Sequence, residues 1–169
     1  MGTTKLDLTK EFETYYRART TPEIVEFDEG CFLTIEGRGA PGGKEFTTKV
    51  EALYAIAYGI KMQMKKEGKD FTVAKLEGLW WVESDKPAFE VPREEWRWKL
   101  LIRLPEFVIL ENVEKAKLLD SEVNRAVKEA IPETRDFAKF IPEISNTITE
   151  CGEIEKKAFQ ELQKIVENL

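Results

Sequence analysis

Apolar residues change their spacing along this chain, and the order of those periods is what most limits the fold. Phe46, Val50, Leu53, Tyr54, Ala57, Ile60 and Met64 recur at the spacing of one helix face. Gly68, after KKE, is placed to cap the C-terminal end of that helix. Ahead of it, EIVEF (residues 23–27) and CFLTIEG (31–37) read as extended, and the second runs into the turn-rich GRGAPGG. Behind it, FTVAKLEGLWWV returns to strand character. EEWRWKLLIRLP then alternates, with Trp96, Trp98, Leu100 and Ile102 on one side and Arg97, Lys99 and Arg103 on the other. A loop with Pro87 and Pro92 joins these two strands, which predicts an antiparallel pair. The order is strand, helix, strand, strand: an α+β fold with an antiparallel sheet.

After Pro105 the texture becomes helical, with breaks at Pro132 and Pro142 and a last amphipathic helix in EIEKKAFQELQKIVENL. The expected division is a strand-helix-strand-strand module with an N-terminal arm over residues 1–112 and a helical C-terminal extension over 113–169. In the arm, Phe12, Tyr15 and Tyr16 are placed to tack a short helix onto the body.

Composition narrows the chemistry. The chain of 169 residues has a net charge of -6 and a pI near 5.0, which makes nucleic acid and anionic membranes poor partners. Histidine is absent, so a catalyst here works with Glu, Asp, Lys, Tyr or Cys. Cys31 and Cys151 have no metal-ligand spacing and read as free thiols, and no motif calls for a metal or a cofactor. Neither an apolar signal core nor a run of about 20 apolar residues is present, so a cytoplasmic setting is expected. GRGAPGG lacks the Gly-Lys-Ser/Thr ending of a phosphate loop and reads as a turn.

KLEGLWW, residues 75–81, carries the main chemical signal. Regular alternation puts Lys75, Glu77, Leu79 and Trp81 on one sheet face, and Ala74, Leu76, Gly78 and Trp80 on the face that the helix covers. Glu77 either pairs with Lys75, Arg97 or Lys99 on a solvated face, or serves as the polar anchor of an aromatic pocket. All four tryptophans lie between residues 80 and 98, Gly78 leaves room for close approach to the backbone, and a carboxylate against indole is driven toward a raised pKa. These features favour the pocket. The candidate ligand-binding residues are Glu77, Trp81, Tyr54, Tyr58, Trp80 and Trp98, with Glu77 as the candidate catalytic base. Glu45 and Glu51, near the covering helix, are the conceivable second carboxylates; Met62 and Met64 read as core filler.

EALYAIAYGIK, KLEGLWW and REEWRWKLLIRLPEFV together resemble the GyrI-like small-molecule-binding family, also met as the effector-binding domain of multidrug-responsive regulators. The opening KLDLTKEF…PEIVEF…FLTIEGRGAPGG fits as well, so the resemblance covers roughly residues 5–115. It implies two strand-helix-strand-strand modules about a pseudo-twofold axis, with a groove between them for flat, aromatic and often cationic compounds. Some members are similar to enzymes that hydrolyse cyclopropane-bearing alkylating antibiotics with glutamates and aromatics of that groove. Residues 116–169 hold neither a Gly-Pro-Tyr turn nor a second KLEGLWW, so the second module reads as replaced or lost, with FIPEISNTITECG as a strand-like remnant.

Three functions follow as expectations. The first is binding of a planar apolar or cationic small molecule; the alternative is hydrolysis of a strained electrophile with Glu77 as general base. The third is an interaction module whose groove is filled by the C-terminal helices. Either those helices or a second copy of the chain is expected to cover the exposed sheet, and a twofold homodimer would bring two copies of Glu77 to one groove.

Overall fold

The computed structural model describes residues 5–133 and 136–149. The last amphipathic helix and Cys151 fall outside the described residues. Helix α3 spans Lys44–Lys66 and buries Ala52, Leu53, Ile56, Ala57, Ile60 and Met64, the periodic positions of the sequence. It ends at Gly68, whose φ of 79° lets the chain leave the helix.

The periodicity also delivers the strands. They are β1 (Gly30–Arg38), β2 (Leu76–Trp81) and β3 (Arg97–Leu104), and a fourth, β4, spans Ser145–Thr149. The sheet order is β2-β3-β1-β4, with every neighbouring pair antiparallel. FIPEISNTITECG therefore does contribute a strand, and it adds to the outer side of β1. EIVEF contributes none: residues 23–27 have no ladder partner, and Ile24 stays 78% exposed.

Short helices α1 (Leu8–Glu11) and α2 (Glu13–Tyr16) form the N-terminal arm. Leu6 anchors the arm through backbone hydrogen bonds to Asp70 and Thr72. Helix α4 (Leu110–Ala130) buries Val113 and Ala116 in the same core as α3. Among the described residues no helix is long and apolar enough to cross a membrane.

Alternation gives the sheet two unlike faces. Leu33, Ile35, Trp98, Leu100 and Ile102 meet α3 and form the main core. On that face Trp98 lies across its cross-strand neighbour Gly37. A Cβ built at Gly37 would sit 2.2 to 2.7 Å from three atoms of the Trp98 ring. The ring is enclosed, so it has nowhere to retreat. Gly37→Ala is expected to cost about 1–3 kcal/mol by overpacking, read as a lowered urea midpoint at unchanged slope. An unchanged midpoint would contradict this packing.

Candidate functional site

The opposite face of the sheet carries Glu77, and the register stacks its side chains in rows. One row is Trp81, Arg97 and Arg38; the next is Leu79, Lys99 and Glu36. Then come Glu77, Leu101 and Thr34, and finally Arg103 and Phe32. The first two rows face outward. The last two are covered: Leu101, Thr34, Arg103 and Phe32 are all at most 5% exposed.

The N-terminal arm contributes to that cover. The Tyr15 hydroxyl donates a hydrogen bond to Glu77 Oε2 across 62 residues of sequence. Tyr15 packs edge-on against Tyr16 and Phe27, with centroids 4.9 and 5.0 Å away. The other carboxylate oxygen, Glu77 Oε1, is buried and has no hydrogen-bond partner. The Tyr16 hydroxyl is also buried without a partner. Leaving a buried acceptor unsatisfied costs on the order of 1–3 kcal/mol. A buried group left so calls for an explanation, and a role in chemistry is one.

Burial holds the Glu77 carboxyl above the usual carboxylate range, while the Tyr15 hydrogen bond and the Arg103 charge pull it down by less. Burial, and then the neighbouring Glu77, push Tyr16 up as well, so it stays a neutral phenol. The folded protein thus keeps the Glu77 proton to higher pH than the unfolded chain does. That contribution favours the fold at acid pH and is lost as pH rises from the ordinary carboxylate range through the raised folded value. Glu77→Gln removes the dependence. The variant is expected to melt above the wild type near pH 8, with the gap closing toward pH 4; a gap that does not vary with pH would contradict the assignment.

The structure separates most of the other candidates from Glu77. Trp98 is fully buried in the α3 core, against Phe46 at 5.2 Å, so it supports the sheet and lines no cleft. Trp80 lies on the α3 face as well, 5.7 Å from Phe46 and 39% exposed. It also accounts for Gly78, where a Cβ would approach Trp80 Nε1 to 2.9 Å. The group that comes close to that backbone is the protein's own indole.

Tyr54 and Tyr58 stack loosely on α3, 6.3 Å apart, on the far side of the sheet from Glu77. Glu45 and Glu51 belong to that helix too, and Glu45 is paired with Lys49 at 3.1 Å, so neither is a second carboxylate for Glu77. Arg97 pairs with Glu83 and Lys99 with Glu36, at 3.0 and 3.2 Å; neither is the partner of Glu77. Trp81 does share the Glu77 face, but two rows away. It walls a cleft of about 380 Å³ at the open end of the sheet, with Glu36, Arg38, Glu45, Lys49 and Arg97.

What the sequence missed is the set that the arm and β3 bring to Glu77: Tyr15, Tyr16 and Arg103. The tyrosines stood out as anchors of the arm, and Arg103 as a charge on the correct face, but nothing local joined them.

No family model and no curated protein matches the sequence. Among solved structures, the chain is similar to an uncharacterized conserved protein from Listeria innocua. That match has a TM-score of 0.68 and 31% identity, and it covers 86% of this chain and 67% of that one. A structure of a hydrolase from Listeria innocua matches with a TM-score of 0.66, 32% identity, and coverage of 87% of this chain and 67% of that one. A further structure of a hydrolase from Listeria innocua matches with a TM-score of 0.62, 31% identity, and coverage of 86% and 66%. At this identity and coverage, the chain belongs to the same family as the conserved Listeria innocua protein and the Listeria innocua hydrolase of the first two matches.

Proposed function

We propose that the Glu77 face is the active site of a GyrI-like hydrolase that opens a strained, flat electrophile by adding water. One observation carries this reading: a buried carboxylate whose Oε2 is held by Tyr15 and whose Oε1 has no partner. The hydrolase names of two similar structures support it, although the chain spans only about two thirds of their length. The antiparallel pairing of β4 with β1 supports the GyrI-like part, because a second module related by a pseudo-twofold axis would begin with such a strand.

The chemistry follows from the two oxygens of Glu77. Tyr15 fixes the plane of the carboxyl, so Oε1 is the oxygen that takes a proton from water. Burial raises the carboxyl above the ordinary carboxylate range, which makes its ionised form a stronger base. The water oxygen forms a bond to the strained carbon as a ring C–C bond breaks. The released electron pair moves to the conjugated end of the substrate, and the proton passes from water to Glu77 and on to that end. One water is added, and no other reagent is consumed.

A second reading, binding of flat apolar or cationic molecules without turnover, is favoured by the exposed aromatic surface of Trp81 and Trp80, 40% and 39% exposed. Cation–π contact there would contribute about 0.5–2 kcal/mol. Incubation of the wild-type protein with a cyclopropane-bearing alkylator separates the two. The water adduct, detected by mass spectrometry above the uncatalysed background, supports the hydrolase; saturable quenching of tryptophan fluorescence with no adduct supports the binder.

A further inference from the structure

A charged side chain, Arg103, lies beside Glu77. Arg103 is only 5% exposed, and its guanidinium carbon stands 3.8 Å from the centre of the Phe12 ring, 5.1 Å from Tyr15 and 5.8 Å from Phe32. The fit is close. A Cβ at Gly30 would come within 3.2 Å of Arg103 Cζ and Nε and 2.9 Å of the Phe32 ring.

Ring contacts of this kind stabilise the cation but leave its N–H donors, at the edge of the plane, without acceptors. Among the described residues the Arg103 guanidinium makes no ion pair within 4 Å and no side-chain hydrogen bond. Glu77 is the nearby acid that feels its charge, yet Glu77 Oε2 is occupied by Tyr15. Its nitrogens are not sealed from solvent, so the donors stay open to an acceptor that a ligand supplies.

The arm covers this place. Phe12 and Tyr15 come from α1, α2 and their junction, and residues 17–29 that follow make no regular structure. Residues 17–26 are exposed throughout, and a stretch with so little burial moves at low cost.

We infer that Arg103 anchors an anionic oxygen of the ligand, a carboxylate or sulfonate on a flat apolar body, with the Tyr16 hydroxyl as a second donor. This rests on the reading of the Glu77 face as the ligand site, and it adds a preference that a glutamate-anchored groove for cations would not have.

A matched pair of dyes tests it: anilinonaphthalene sulfonate, and phenylnaphthylamine, which has the same rings without the sulfonate. Hydrogen bonds to a charged group are strong enough that the wild type is expected to bind the sulfonate at least about tenfold tighter. Arg103→Met keeps the stem against Phe12 and is expected to abolish the preference, with Arg103→Lys between the two. Arg97→Gln and Arg38→Gln, in the open cleft, are expected to leave the preference unchanged. Equal affinity of the wild type for both dyes overturns the inference while leaving the ligand site standing, and the wild-type comparison decides this even if Arg103→Met fails to fold. A preference that survives in folded Arg103→Met, or disappears in Arg97→Gln or Arg38→Gln, also overturns it. Binding of neither dye removes the ligand site and the inference together.

Discussion

Trp98→Ala is expected to lower the stability of the fold by about 3–5 kcal/mol, a large fraction of the 5–15 kcal/mol typical of a domain. The residue is 0% exposed. Its ring fills the space between the sheet and the N-terminal half of α3, with Phe46 at 5.2 Å, Trp80 at 6.4 Å and Lys49 Nζ at 5.8 Å. Gly37 supplies the floor on the neighbouring strand, and glycine cannot move inward to refill the cavity. Trp98→Phe keeps the core apolar and is expected to cost much less. Urea denaturation of the three proteins measures both. If Trp98→Ala cost less than about 1 kcal/mol, the indole would have to be a replaceable wall of a cleft and not the centre of the packing.

The strand-helix-strand-strand order was legible because the apolar period changes at Glu45 and again near Phe71, and α3, β1, β2 and β3 lie where those changes place them. Alternation also put Glu77 and Trp81 on one face and Trp98 on the other, correctly. It could not say which aromatics were walls and which were core. Trp80, Trp81 and Trp98 look alike in composition, and their exposures of 39%, 40% and 0% are decided by α3 and by the row each occupies.

Gly78 shows the same ambiguity. A gap in a strand admits a ligand or a neighbour's ring, and here Trp80 fills it. EIVEF has strand-like composition, but in the sheet order β2-β3-β1-β4 it pairs with no strand, so it stays irregular. The site itself was only half legible. Glu77 could be found from its surroundings in sequence, whereas the Tyr15 hydrogen bond spans 62 residues and depends on the arm crossing a particular pair of rows. No local period encodes that crossing.

The largest functional effect is expected at Glu77. Glu77→Gln keeps an acceptor for the Tyr15 hydroxyl and nearly the same shape, so the arm remains seated and the site remains formed. It removes only the ability to take a proton at Oε1, the oxygen that has no partner in the fold. A general base contributes about 10²–10⁴-fold to rate, and the loss is expected to fall on kcat with little change in KM, since the ligand's contacts are retained. The same substitution is expected to stabilise the folded protein at alkaline pH, because it removes a charge held in a buried place. Loss of rate together with gain of stability is the signature of a group kept for chemistry.

The most direct measurement is the steady-state rate of water addition to a cyclopropane-bearing alkylator by the wild type and by Glu77→Gln, with binding of the same compound followed by tryptophan fluorescence. Both proteins are expected to bind the compound equally well, and the variant to form the adduct at least about a hundredfold more slowly. Equal rates of adduct formation in the two proteins would contradict this.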